Sequence, residues 1–177
     1  MSAGWSPNRQ YETEAKVFRL SHLRKMRGCE QVAAVCFRVR RARIEFLLVR
    51  TRGGRWIFPK GSAEPGLSNA QAAALEAFEE AGVHGRIEEA AFARYVRRKA
   101  SGPQNTPIEV TTSAYLCEVS RLDPPPEANR DPSWFSPEKA KRRLREERDR
   151  EYASELIRVI DGAVIRIGVI ETHRKTE

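Results

Sequence analysis

Residues 56–83, WIFPKGSAEPGLSNAQAAALEAFEEAGV, constrain this chain more than any other stretch. A short apolar run, Trp56 to Phe58, is stopped by Pro59, and Gly61 follows in a loop. Ser68 is placed to cap a helix over 69–81, and Gln71 stands where a capping-box partner belongs. Ala70, Ala72, Ala73 and Ala74 favour helix and allow close approach to a sheet. Leu75 and Phe78, with Ala74 and Ala81, supply an apolar face, and Gly82 is positioned to end the helix at positive φ. Glu76, Glu79 and Glu80 then stand at i, i+3 and i+4, gathered along one side. Three like charges there oppose one another and the helix dipole, with no lysine one turn on to offset them. A divalent cation seated among them resolves the conflict. A solvated acidic face is the alternative. Core and chemistry are expected on different faces of this helix.

The stretch resembles the Nudix box, in which a glycine is followed six residues later by a glutamate and then by Arg-Glu-apolar-x-Glu-Glu-x-Gly-apolar. Gly61, Glu76, Glu79, Glu80, Gly82 and Val83 match in register, while Leu67 stands at the glutamate position and Leu75 at the arginine position. The resemblance implies an α+β Nudix fold, a mixed β-sheet sandwiched between helices. It also implies glutamates that bind Mg²⁺ or Mn²⁺, and hydrolysis of a diphosphate linked to another moiety. Carried over by position, Glu76 and Glu80 are metal ligands and Glu79 is a third ligand or the base for the attacking water. Gly61 gives the loop its geometry and turns its carbonyl to the metal. In the family the loop glutamate and the arginine organise the loop and hold the helical carboxylates by salt bridging. Replacing both by leucine removes a matched pair rather than stranding one charge, which is compatible with a retained fold. It leaves weaker metal binding, altered metal preference or lost catalysis as outcomes. Glu64 offers a nearby loop carboxylate three residues early.

Within the family the likeness is to the group of diphosphoinositol polyphosphate phosphohydrolases and diadenosine polyphosphate hydrolases. It spans roughly residues 31–140 and includes VAAVCFR, RWIFPKG, AGVHG and the late WF followed by EKA. The resemblance implies hydrolysis of a nucleoside, dinucleoside or diphosphoinositol polyphosphate. The alternative is a catalytically weak or inactive binding protein for a phosphate-rich ligand.

The charge balance suits such ligands. With 32 basic and 24 acidic residues, the formal charge is +8, which concentrates anions at the surface without choosing among them. Lys60, in the PKG run, is placed to contact a phosphate as a point charge. Arg38, Arg50, Arg52, Arg94 and Arg97 are further substrate-binding candidates, with Arg55, Arg98 and Lys99 close by in sequence. Each has a scattered charged face as its plain alternative. Glu109, or else Glu118, is a candidate extra carboxylate on a later strand. Tyr95 or Phe92 could stack on a base, although core packing is the commoner use of a strand aromatic. Trp56 and Trp134 read as structural. The arginine-rich 141–150 segment is interrupted by Glu146, Glu147 and Asp149, which makes a solvated helix the first reading and RNA or an acidic partner the second. His84 and His173 lack the cysteine spacing of a zinc site.

Length and pattern predict one domain over 31–172, with an amino-terminal arm over 1–30 and a tail over 173–177. Strands are expected at 31–37, 44–49, 88–98 and 108–119, with RVRRAR as the first turn. Residues 122–132 read as an irregular surface connection. A charged helix is expected from Ser136 to 149, then a terminal helix whose 165–170 segment could instead be a strand. Cys29, Cys36 and Cys117 form no CxxC pair and read as reduced thiols of a cytoplasmic protein. No membrane association is expected, and the chain is expected to act as a monomer or homodimer.

Overall fold

The computed structural model describes residues 30–101 and 103–176. The expected arm therefore lies outside the described residues, apart from Glu30, as does Cys29. The chain opens with a hairpin, β1 (Glu30–Arg40) and β2 (Arg43–Arg50), whose turn is only Arg41 and Ala42. Both turn residues have positive φ, which lets the strands run further into RVRRAR than expected. Val32 to Phe37 and Phe46 to Val49 are unbroken buried runs, the signature of strands covered on both faces.

Two short strands follow, β3 (Trp56–Ile57) and β4 (Lys60–Ser62). Gly61 thus lies in a strand rather than a loop, because β4 pairs antiparallel with the start of β1, with Val32 opposite Gly61 and Ala33 opposite Lys60. Helix α1 (Asn69–Ala81) begins as expected. Ser68 Oγ accepts from the Gln71 amide at 3.1 Å, and Gln71 Oε1 accepts from the Ser68 amide at 2.9 Å. Gly82 ends it at φ 66°, donating its N–H to the Phe78 carbonyl at 2.8 Å. A Cβ at Gly82 would also collide with the Asp123 carbonyl, so glycine is required twice there.

The expected 88–98 strand begins only at residue 93, and a separate strand precedes it. β5 (Val83–Ile87) runs directly off α1, and β6 (Ala93–Ser101) starts after a non-strand link. β7 (Thr106–Leu122) is the long central strand, parallel to β1 and antiparallel to β5 and β6. β8 (Ser133–Phe135) adds to β2. Among the described residues the result is a mixed eight-stranded sheet along β3-β2-β1-β7-β5, with β4, β6 and β8 pairing off that path. Helices flank it. α1 packs on β1, β4, β5 and β7; α2 (Pro137–Arg145) and α3 (Arg150–Thr176) pack on each other, α2 also on β2 and α3 on β6.

The charged helix stops at Arg145 rather than 149, because Glu147 takes positive φ and Asp149 restarts the chain as a cap, its Oδ1 accepting from the Tyr152 amide at 2.8 Å. The 165–170 segment is helical, since α3 continues through it to Thr176. Among the described residues no helix is long and apolar enough to cross a membrane. Cys36 and Cys117 are buried free thiols in register across β1 and β7.

Candidate active site

Helix α1 does not separate its faces as the sequence suggests. Its buried residues are Ala70, Ala72, Ala73, Ala77 and Ala81 together with Glu76 and Glu80. Phe78 is turned out and stacks edge-on against His84 at 5.4 Å, and Leu75 is only half-buried. Small alanine side chains let the helix lie close on the sheet, and that closeness takes the two carboxylates under the surface with them.

Glu76 lies against the backbone of β4. A Cβ built on Gly61 would stand 2.6 Å from Glu76 Oε2 and nearer still to Oε1. Gly61 is therefore needed for the space that the carboxylate occupies. Glu80, with a relative exposure of 4%, faces Arg130 from the 122–132 connection, Nη2 to Oε1 at 3.0 Å. Its second oxygen, Oε2, is buried with no hydrogen-bond partner among the described residues. Burial pushes the Glu80 carboxyl up to about 7; the Arg130 guanidinium opposes the rise, the neighbouring Glu76 and Glu127 add to it, and a hydrogen bond from the Lys60 backbone opposes it. Lys60 is the matching cation. Burial lowers its pKa, Glu80 pulls it back up, Arg97 lowers it, Glu76 raises it and Lys99 lowers it. Its Nζ donates to Gln31 Oε1 at 3.0 Å.

Arg130 was not legible as a site residue. It arrives because the 122–132 connection folds back over the end of α1. The Asp123 amide donates to the Gly82 carbonyl and the Glu127 amide to the Glu79 carbonyl, both at 2.9 Å. Arg130 is then held by Glu127 at 2.7 Å and by the Arg50 carbonyl at 3.3 Å, while the Arg50 amide donates to the Arg130 carbonyl at 2.6 Å. What reads as an irregular surface loop is the strap that delivers a guanidinium to Glu80.

The remaining candidates divide. Glu79 is half-buried at the edge of the same helix. Arg97 is half-buried near Lys60, and both line one small cavity. Arg38 is elsewhere: six residues along β1 from the partner of Gly61, it is about 20 Å away at strand rise. There it pairs with Glu45 at 2.6 Å and lies over Trp134 at 4.1 Å. Arg50 lies over Trp56 at 4.3 Å and pairs with Asp131 at 3.2 Å. Arg52 and Arg94 are exposed. Glu109 is exposed and pairs with Arg98 at 3.5 Å, and Glu118 is held by Arg174 at 2.6 Å. Tyr95 is core, 1% exposed. Among the described residues, no set of three or more His, Cys, Asp or Glu side chains is placed to hold a metal ion.

The family model described as NUDIX domain matches residues 30–156. Among solved structures, the chain is similar to a C. elegans Ap4A hydrolase in a binary complex, at 20% identity and TM-score 0.55, covering 79% of this chain and 98% of that one. The NUDIX domain of Shewanella oneidensis NrtR, complexed with ADP ribose, aligns at 17% identity and TM-score 0.59, covering 79% and 88%. A NUDIX hydrolase from Nitrosomonas europaea aligns at 21% identity and TM-score 0.53, covering 72% and 84%. At these identities the structural likenesses speak to the fold.

Proposed function

The chain belongs to the NUDIX domain family, and from that premise we propose that it hydrolyses a diphosphate linkage in a phosphate-rich substrate with the help of Mg²⁺ or Mn²⁺. The observation that carries this reading is the buried pair Glu76 and Glu80, with one Glu80 oxygen lacking a hydrogen-bond partner among the described residues and a half-buried lysine beside it. Burying two carboxylates together is costly unless a cation or a proton compensates them.

The donor set fits a hard divalent ion. Two carboxylates are few for a closed protein cage, but Mg²⁺ is commonly held by one or two carboxylates while keeping waters and substrate phosphate oxygens. Glu76 and Glu80 would hold it, with the Gly61 carbonyl as a further candidate ligand. Such an ion, when bound, neutralises phosphate charge and acidifies the attacking water. Lys60 orients a phosphate by charge. Arg130 keeps Glu80 in place and limits the repulsion between the two carboxylates. Glu79, nearer solvent, is the candidate to accept the proton of the attacking water. In the net reaction water adds across one P–O–P bond, giving two phosphate products and releasing a proton near neutral pH.

A screen of nucleoside, dinucleoside and diphosphoinositol polyphosphates with Mg²⁺ or Mn²⁺, with products identified by mass, tests the reading. Turnover that disappears in Glu76→Gln and Glu80→Gln supports it. Turnover that survives both substitutions sinks it. Binding without turnover would select the second reading, a NUDIX-fold polyanion-binding protein. That reading draws on the leucines at 67 and 75.

A further inference from the structure

Next to the acidic pair lies a cavity of about 110 Å³, bounded by Lys60, by β6 and by the joint between α2 and α3. Among the described residues, four cations line it: Arg55, Lys60, Arg97 and Arg148. Arg148 is pinned from two sides, Nη1 donating to the Leu144 carbonyl at 2.9 Å and Nη2 to the Trp56 carbonyl at 2.5 Å. Arg97 and Arg148 both lie near the ring of Tyr152, at 5.3 and 5.8 Å. Arg55 donates to the Glu147 carbonyl at 3.3 Å. Two carboxylates also line the cavity. Asp149 is engaged in capping α3, and Glu147 is exposed. Four positive groups against two negative ones leave an excess of two positive charges in a partly enclosed space. Glu80 and Glu76 beside Lys60 offset part of this excess, and the remainder favours an anion.

We propose that this cavity is the subsite for a terminal phosphate of the substrate cleaved beside Glu76 and Glu80, so that the substrate class is a polyphosphate ending in a free phosphate. The proposal rests on the hydrolase reading above and narrows it. Size supports it, since the cavity falls well short of the roughly 300–1,000 Å³ of sites that enclose a drug-sized ligand. A base or sugar is therefore a poor occupant. Charge supports it as well. A phosphate monoester carries about −1.5 to −2 near neutral pH, against −1 for a phosphate esterified on both sides. The positive excess favours the former. Continuity is provided by Lys60, which lines the cavity and is also attracted by Glu80 and Glu76. One end of a phosphate chain can thus rest in the basic cavity while the next linkage lies at the carboxylates. Substrates capped at both ends by nucleosides or sugars would leave the cavity without its preferred charge.

The test pairs a binding measurement with a kinetic one. Inorganic phosphate is titrated into the metal-free 177-residue chain by calorimetry, using wild type, Arg97→Gln, Arg55→Gln and Glu76→Gln. Affinity should fall about 10- to 100-fold in the two arginine variants, the scale of a lost charge-assisted hydrogen bond, and persist in Glu76→Gln. Arg142→Gln, on the exposed side of α2, should change it by less than about twofold. With Mg²⁺, Arg97→Gln should raise KM for adenosine triphosphate much more than KM for diadenosine tetraphosphate. Thermal midpoints confirm that each variant is folded, and Arg55→Gln carries the test if Arg97→Gln is not. Phosphate affinity unchanged in both arginine variants overturns the subsite, as does an equal KM penalty for the two substrates. If none of the substrates is cleaved, the phosphate titration still decides the cavity, whereas turnover surviving in Glu76→Gln counts against the hydrolase site alone.

Discussion

Glu80→Gln in the metal-free protein is the most direct probe of the site. Glu80 is 4% exposed, and its carboxyl is raised from an ordinary 4.5 to about 7, first by burial. At 1.36 kcal/mol per pKa unit, that difference amounts to about 3 kcal/mol. The sign follows from proton linkage. Between pH 4.5 and 7 the folded protein holds a proton that the unfolded chain has released, so stability falls as pH rises through that window. Below it both states are protonated and the penalty vanishes; above it the full penalty applies. Glutamine keeps the shape and cannot ionise. Urea unfolding in EDTA, followed from about pH 4 to 8, should show wild type losing about 3 kcal/mol more than the variant. Adding Mg²⁺ at the alkaline end should restore wild type and leave the variant unmoved. Parallel stability profiles for the two proteins would refute the reasoning, because Glu80 would then titrate alike in the folded and unfolded chains.

Three further outcomes are expected. Gly61→Ala drives a Cβ into the Glu76 carboxylate and should cut kcat about 100-fold, a displacement effect, while circular dichroism stays native. Arg130→Gln removes the partner of Glu80 and should destabilise by about 1–3 kcal/mol at pH 8 but much less at pH 5, where Glu80 is protonated, as read by urea midpoints at the two pH values. Ser68→Ala removes one half of the capping box and should cost about 1 kcal/mol at every pH without changing KM.

The site was legible where its signals are local. Ser68, Gln71 and Gly82 report a helix from bonds made within a few residues, and that helix starts and stops where they indicate. Glu76, Glu79 and Glu80 declare their helical spacing, but not that alanine packing draws Glu76 and Glu80 inward and leaves Glu79 nearer solvent. The strand containing Gly61 is three residues long and exists because β1 pairs with it, so nothing in KGS itself announces it. Charge alone could not sort the arginines. Arg38 and Arg97 look equivalent in sequence, yet one lies over Trp134 at the far end of β1 and the other lines the basic cavity. Arg148 sits in a segment that reads as a solvated helix and Tyr152 at the start of the terminal helix, and the positive φ of Glu147 turns their junction into a corner facing Lys60.

The two leucines gain meaning from Arg130. Leu67 is 39% exposed and Leu75 half-buried, so neither contributes charge to the site. The guanidinium beside Glu80 instead comes from fifty residues downstream. Glu127 shares it at 2.7 Å, so the cluster of Glu76, Glu80, Glu127 and Arg130 carries −2 when every group is ionised and −1 when Glu80 keeps its proton. Lys60 beside the pair offsets part of that excess, a proton on Glu80 offsets one unit, and a divalent cation would offset the remainder. On the proposed reading, proton and metal would compete for the same buried oxygen pair, and metal binding should release a proton from Glu80 below about pH 7. An arginine built into the helix, without a carboxylate of its own, would have left a smaller deficit. By pairing the borrowed arginine with Glu127, the strap holds Glu80 in place while preserving negative charge for the divalent ion we propose there.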